Sequence, residues 1–426
     1  MTQQNRLWVR ALVWLMCLGP FFFLSYGAAN DYAAQLPFVP SIAFEWELKW
    51  MPFVPALMLP YMSVDAFYAL SLFLPRSRRE LDTHALRLGL ATAVAVACFF
   101  LFPFRSAFVR PEVTGFNGWL LDILTGFDKP FNEAPSLHIA LLILLWVQYA
   151  KRLKGLPRRA LDIWFSLIGL SVLFTWQHHI LDVVTGAILG VAVLYVLPDT
   201  PCQLTRRPVA RRLALAYGTA SAACFALALN GGWFWLAAWP ATSLCLVMAG
   251  YAGLGPAIFQ KRADGTHPVP ARLMLAPFLI LATLSRRYLV RAYPHGPGEI
   301  ESIRLTPWPG PVEGDYAVLD VCAEFGRIKD FRHYRCVPML DLMSPSAQEL
   351  EAAAHALCEL TQQNTQVYVH CALGRGRSAA AVMAWLLLTG QALSVQDAVE
   401  RLRQHCPGCV IPRRTQEGLA RWWNDR

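Results

Sequence analysis

The feature that most constrains this chain is a series of apolar runs that stops near residue 290. A helix needs about 20 apolar residues to cross about 30 Å of hydrocarbon. Eight runs approach that length: 9–27, 53–74, 86–104, 136–150, 160–177, 180–197, 213–229 and 233–252. The fourth is short and opens on polar residues, as expected of a helix whose end lines a site rather than lipid. Hydrophobic residues make up 55% of the 426, and past the last run patterns of ordinary polarity take over. The expected architecture is therefore an α-helical transmembrane bundle of about eight spans over 1–255, an interfacial helix and linker over 256–297, and a soluble α/β domain over 298–426.

Charge sets the orientation. Basic clusters follow every second run: Arg6 and Arg10 before the first, then Arg76, Arg78 and Arg79; Lys151, Arg152, Lys154, Arg158 and Arg159; Arg206, Arg207, Arg211 and Arg212; and Lys261 with Arg262. Basic loops stay on the cytoplasmic side, so the net charge of +9 reports topology, and no basic stripe interleaved with aromatics points to nucleic acid. The apolar stretch 273–284 is too short to span and ends in Ser285-Arg286-Arg287, which predicts a helix lying in the interface. The soluble domain then faces the cytoplasm of a multi-pass protein, as in a bacterial inner membrane. An alternative for the first run is a signal peptide cut near Gly27-Ala28-Ala29. Pro294, Pro297, Pro307, Pro309 and Pro311 mark the linker.

In the soluble part, 301–305, 316–322, 334–340 and 366–370 read as strands. Pro345 to Gln362 reads as an amphipathic helix, Ser394 with Asp397 caps another, and a third starts near Arg377. The loop His370-Cys371-Ala372-Leu373-Gly374-Arg375-Gly376-Arg377-Ser378 thus joins a strand to a helix N-terminus. Backbone N–H groups there favour an anion. Gly374 and Gly376 let the loop curl around a phosphate, Arg377 offers a two-pronged donor, and the same field makes Cys371 a thiolate. Ser378 can hydrogen-bond the sulfur as it leaves. Eleven cysteines divide into five in the apolar part and six beyond it, and a thiolate nucleophile calls for a reducing compartment. Cys406-Pro407-Gly408-Cys409 is a C-x-x-C without a second ligand pair.

This H-C-x5-R-S pattern resembles the dual-specificity branch of the protein tyrosine phosphatases, over about 130 residues from near 298 to the end. The resemblance implies a general acid about 30 residues before the cysteine, and Asp341 stands there. It would protonate the leaving oxygen and then activate water against a cysteinyl phosphate. Arg375, an additional basic residue in the loop, resembles members that act on lipid or inositol phosphates.

The apolar part has its own constellation. Pro135-Ser136-Leu137-His138 opens the fourth run, His178, His179 and Asp182 open the sixth, and Arg110-Pro111 precedes both. All fall at outward ends of spans, the common depth a shared site requires. Asp182 lies one helical turn from His178 and can orient its imidazole. An oriented neutral imidazole is a nucleophile toward phosphorus. His138 can protonate the departing alkoxide, and Arg110 and Ser136 can hold phosphoryl oxygens. These residues resemble the type 2 phosphatidic acid phosphatase superfamily, in its branch of inositolphosphoryl-ceramide and sphingomyelin synthases. The resemblance covers about 50–200 and implies a phosphohistidine on His178. Two positions depart: Pro103 stands where that family has a Lys, and the Arg usual before the final His is replaced in a stretch with Thr175 and Gln177.

The expected function is a bifunctional membrane phosphatase acting on phospholipid head groups, without cofactor or metal. Its rivals are a membrane-tethered protein phosphatase acting on phosphoproteins, and a membrane domain that transfers a phospho-head-group or only senses lipid.

Overall fold

The computed structural model describes residues 3–200, 209–293, 298–310, 316–363 and 366–426. Arg206, Arg207, Pro294, Pro297 and Pro311, named above for topology and linker, lie outside them. The chain divides into two compact units, 1–201 and 202–426.

The first unit is helical throughout: α1 (Gln3–Ala34), α2 (Glu45–Trp50), α3 (Met58–Ser71), α4 (Arg78–Leu101), α5 (Gly115–Phe127), α6 (Leu137–Ala150), α7 (Gly155–Phe174) and α8 (Ile180–Val196). Leu81, Ala85, Leu88, Ala91 and Ala95 repeat at helical spacing along α4 and are buried, together with Leu144 and Leu145 of α6 and Phe165 and Ile168 of α7. Small residues bring α8 close to α6: a Cβ at Gly186 would lie 2.3 Å from the Ser136 carbonyl oxygen. That approach draws the start of α8 onto the start of α6, where the polar motifs sit.

Four helical stretches are long and apolar enough to cross a membrane: Gln4–Ala34, Arg78–Leu101, Gly232–Phe259 and Val269–Ala292. Each of the eight expected runs contains a helix, but α3, α6 and α8 have only 14, 14 and 17 residues. Ser136 caps α6, accepting from the Ile139 N–H at 3.4 Å, and Asp182 Oδ2 accepts from the His179 N–H at 2.8 Å at the start of α8. The opposite correction applies at 273–284. That apolar stretch lies inside a helix of 24 residues, Val269–Ala292. Arg286, Arg287 and Arg291 end the apolar run but are good helix formers.

In the second unit α9 (Arg211–Ala228) packs on α10 (Ala238–Ala249), and α11 (Val269–Ala292) follows. The α/β part then runs β1 (Glu299–Ile300), β2 (Ile303–Pro307), β3 (Ala317–Cys322), β4 (His333–Met339), α12 (Ala347–Gln363), β5 (Val367–Cys371), α13 (Arg377–Leu388), α14 (Val395–His405) and α15 (Arg413–Asn424). The sheet order is β1-β2-β5-β3-β4, parallel except for the β1–β2 pair. β3 and β5 are buried along their whole length, as central parallel strands must be. The small side chains of Ala379, Ala380 and Ala381 in the first turns of α13 let that helix run through the core between sheet and helices. All four expected strands form within two residues of their expected ends. The capping pair forms too, Ser394 Oγ accepting from the Asp397 N–H at 3.1 Å. The carboxyl ends of β3, β4 and β5 open on one edge, where a ligand crevice belongs in such a sheet.

Candidate functional site

Cys371 ends β5 and its side chain is buried, with Sγ 3.4 Å from Ser378 Oγ at the start of α13. Between them the loop turns at Gly374, whose φ is +71° and whose absent Cβ would lie 2.5 Å from the Thr306 carbonyl carbon. Only glycine fits both demands. Gly376 caps α13, and the carbonyl of Arg375 accepts from the Val410 N–H at 3.1 Å.

Arg377 is buried at the first position of α13. It donates from Nη1 to Glu324 Oε2 at 2.7 Å and to the Met339 carbonyl at 2.9 Å, and from Nη2 to Glu324 Oε1 at 2.6 Å. Nη2 also lies 3.2 Å from Asp341 Oδ1. Its Nε, buried, has no partner among the described residues, which leaves one strong donor for an oxyanion. Asp341 follows β4 and its side chain is half exposed. Burial pushes the Cys371 thiol up, but the Arg377 guanidinium and the hydrogen bonds from Ser378 outweigh it, and the thiol lies below its ordinary value. Burial likewise pushes Glu324 up, and Arg377 holds it below the usual carboxylate range.

The structure therefore gathers Cys371, Asp341, Arg377, Ser378, Gly374 and Gly376 at one edge of the sheet. His370 is buried one residue before the cysteine, its Nδ1 3.8 Å from Asp320 Oδ1. Arg375 is placed differently from the phosphate-binding role expected of it. Its Nη2 donates to the Tyr293 carbonyl at 2.6 Å, and its guanidinium stacks 5.5 Å over the Tyr293 ring. Glu324 carries no signal in the sequence, because nothing local marks an ion pair 53 residues long. Cys406 and Cys409 are joined as a disulfide, in the turn that supplies Val410.

In the first unit the polar motifs converge as well. His178 Nδ1 lies 3.7 Å from Asp182 Oδ2, and 3.5 Å from Oε2 of Glu133, a residue outside the motifs named above. His138 stacks on Tyr61 with ring centroids 4.3 Å apart. His138 Nε2, His178 Nδ1, Glu133 Oε2, Asp182 Oδ1 and Gln177 Nε2 are buried without hydrogen-bond partners among the described residues. Ser136 is buried at the cap of α6, and Arg110 donates to Gln177 Oε1 at 2.9 Å and to the Trp176 carbonyl. His179 stands apart from this group: its Nδ1–H faces Glu47 Oε2 at 3.0 Å, while Nε2 accepts from the Ala107 N–H at 3.1 Å. Glu133, His178 and Asp182 bring their ligand atoms within 4.8 Å of one another, a set that could hold a metal ion. The same geometry also suits two carboxylates sharing one imidazole proton.

Residues 317–422 match the family model described as dual specificity phosphatase, catalytic domain, and that stretch is a dual-specificity phosphatase domain. Similar solved structures include human DUSP28, at 20% identity and a TM-score of 0.28 over 31% of this chain and 97% of that one. Another is PTPMT1 in complex with PI(5)P, at 16% identity and a TM-score of 0.27 over 30% and 92%. A third is a mutant form of Tk-PTP, at 21% identity and a TM-score of 0.26 over 30% and 95%.

Proposed function

We propose that this chain is a membrane-held phosphatase whose Cys371 site removes a phosphate monoester from a lipid head group. One observation carries the lipid reading: the way α11 lies along the phosphatase domain. Just past its C-terminal end, the Tyr293 carbonyl holds Arg375, and within the last turns Arg286 donates to the Trp308 carbonyl at 2.8 Å. At mid-length Ala282 packs on Cys322 and Phe325. Nearer its start Leu275 packs with Ala323 and Leu340. α11 meets the phosphatase domain at these points and packs on α10 besides, and we read it as lying at the membrane surface although its length would allow a crossing. Its outward stripe carries Leu273, Ile280, Leu284 and Tyr288 exposed, with Arg272, Arg287 and Arg291 toward the ends. An apolar face edged by arginines suits a helix lying in the plane of a membrane with anionic head groups. Cys371 is then held beside the head groups.

The chemistry follows from the loop. The Cys371 thiolate attacks phosphorus, the bond to the departing alcohol oxygen breaks, and Asp341 supplies that oxygen's proton. Water, deprotonated by Asp341, then attacks the cysteinyl phosphate and releases orthophosphate and thiolate, the latter received by the Ser378 hydroxyl. A thiolate nucleophile must stay reduced to act.

In the helical unit we assign a second phosphoryl site, supported by the five buried polar atoms without partners around His178 among the described residues. His178 would attack phosphorus with its proton held between Glu133 and Asp182, and His138 would protonate the leaving alkoxide. Water or a lipid alcohol would complete the turnover, and this site needs neither metal nor cofactor.

The test is a panel of lipid phosphates and phosphopeptides assayed with wild type, Cys371→Ser and His178→Ala. We expect Cys371→Ser to abolish monoester hydrolysis on lipid vesicles and His178→Ala to abolish a separate lipid turnover. Phosphopeptide hydrolysis outpacing every lipid would make the protein a tethered protein phosphatase. Lipid turnover unchanged in His178→Ala would remove the second site.

A further inference from the structure

Among the buried side chains that reach the phosphatase domain from outside the stretch that defines it, one carries a charge into the sheet. Lys261 lies between α10 and α11, and its side chain is fully buried, as is that of Asp320 on the central strand β3. Lys261 Nζ donates to Asp320 Oδ2 at 2.6 Å and to the Cys322 carbonyl at 2.5 Å. Tyr334 OH donates to the same Oδ2 at 2.6 Å, and the Cys322 N–H to Oδ1 at 2.9 Å. The surrounding turn is stitched to the end of β3 as well: His267 Nε2–H donates to the Ala323 carbonyl at 2.9 Å, and the Arg327 N–H to the Gly265 carbonyl at 3.0 Å. We propose that Lys261 is a positioning residue of the phosphatase, neutralising Asp320 so that His370 stays neutral and Cys371 stays in register with Arg377.

A carboxylate in the middle of a buried parallel sheet is costly unless a cation and hydrogen bonds satisfy it. Within 4 Å, Asp320 has two basic partners among the described residues, Lys261 and the His370 imidazole at 3.8 Å. His370 Nδ1 has no hydrogen-bond partner among the described residues. The charged groups acting on His370 are Asp320, Lys261, Arg377 and Glu324, and those around the Lys261–Asp320 pair include Tyr334, Cys322 and Cys336. Burial pushes the His370 imidazole down, and Lys261 and Arg377 reinforce this against the pull of Asp320. With Lys261 gone, one of the groups opposing Asp320 is lost and the imidazole is pulled upward, while a bare carboxylate 3.8 Å away is left needing a partner. Asp320 recruits His370 as an imidazolium, the ring closes on the carboxylate, and the residue before Cys371 moves. β3 also leads into Glu324, so the same strand end governs the partner of Arg377. The segment joining the apolar helices thus sets the geometry of the catalytic loop.

The inference rests on Cys371 being a phosphatase nucleophile, so the full chain in detergent is assayed on p-nitrophenyl phosphate with Cys371→Ser as the control that must be inactive. Lys261→Met is expected to lower kcat about 10- to 100-fold with a smaller change in KM, the scale of a displaced catalytic group. Its pH–rate profile should gain an ionisation that lies higher than any the wild type shows for His370. The sign follows from the imidazolium being the inactive form, so activity lost at low pH returns as pH rises. Adding Asp320→Asn to Lys261→Met removes the charge that recruits His370 and should restore kcat to within about threefold. Wild-type kcat and pH profile in Lys261→Met would overturn the proposal. So would a double variant no more active than the single one, whether through misfolding or not. Activity surviving in Cys371→Ser would instead overturn the phosphatase assignment beneath it.

Discussion

Glu324 grips Arg377 through two parallel hydrogen bonds of 2.7 and 2.6 Å, both side chains buried, and so fixes the guanidinium behind the catalytic loop with Nε left over. A two-pronged pair restricts rotation about the guanidinium as well as its position. Arg377 is thereby oriented before any phosphate arrives, which lowers the reorganisation needed when charge develops on the phosphoryl oxygens.

Glu324→Gln should therefore act on catalysis and stability together. One charge-assisted bond is lost and a buried guanidinium loses its counter-charge. We expect kcat/KM for p-nitrophenyl phosphate to fall about 100-fold and stability to drop by about 3 kcal/mol. Steady-state kinetics and thermal unfolding measure the two; unchanged kinetics would mean that the Met339 carbonyl and Asp341 suffice to hold the arginine.

The Cys371 thiol lies below its ordinary value of 9.0 because Arg377 and Ser378 outweigh burial. A lowered value means that the thiolate survives as pH falls below 9.0 and is lost only once pH passes the lowered value. Iodoacetate alkylation of Cys371, followed against pH, should show its midpoint below that of a free thiol. Arg377→Met removes the main opposing charge and should move the midpoint upward, leaving burial unopposed.

Asp341→Asn should lower kcat about 100- to 1000-fold for an alkyl phosphate, whose leaving alkoxide needs a proton. The loss should be much smaller for p-nitrophenyl phosphate, whose leaving group needs little help. An equal loss on both substrates would assign Asp341 to positioning Arg377, 3.2 Å away, rather than to proton transfer.

Gly374→Ala should inactivate the loop without unfolding the domain. The new methyl meets the Thr306 carbonyl carbon at 2.5 Å while φ is +71°, so the loop must open. Activity should fall at least about 100-fold, and binding of inorganic phosphate, measured by calorimetry, should weaken in parallel.

Glu47→Gln tests the first unit alone. Both Glu47 and His179 are fully buried, and the change weakens the acceptor for the imidazole N–H. The expected cost is about 1–3 kcal/mol of stability, with hydrolysis at Cys371 unaltered. Thermal unfolding with the p-nitrophenyl phosphate assay separates these outcomes.

Sequence by itself determined the catalytic loop, because everything that defines it is local. A strand, a cysteine, two glycines and an arginine opening a helix lie within His370 to Ser378, and each residue's duty follows from backbone geometry at that spot. It also determined the four strands and the cap at Ser394, which depend on short-range alternation and hydrogen bonding. Asp341 was legible only through a family resemblance, since nothing local ties it to Arg377. Tertiary structure alone decided the counter-ions. Glu324, Lys261, Glu133 and Glu47 pair with partners between 45 and 132 residues away, and a buried charge carries no periodic signal of where its partner comes from. The tertiary structure also decided how far α11 runs: apolar composition reports solvent preference and ends at Ser285, whereas the helix continues through arginines, good helix formers, to Ala292, and Arg286 finds its partner in the Trp308 carbonyl.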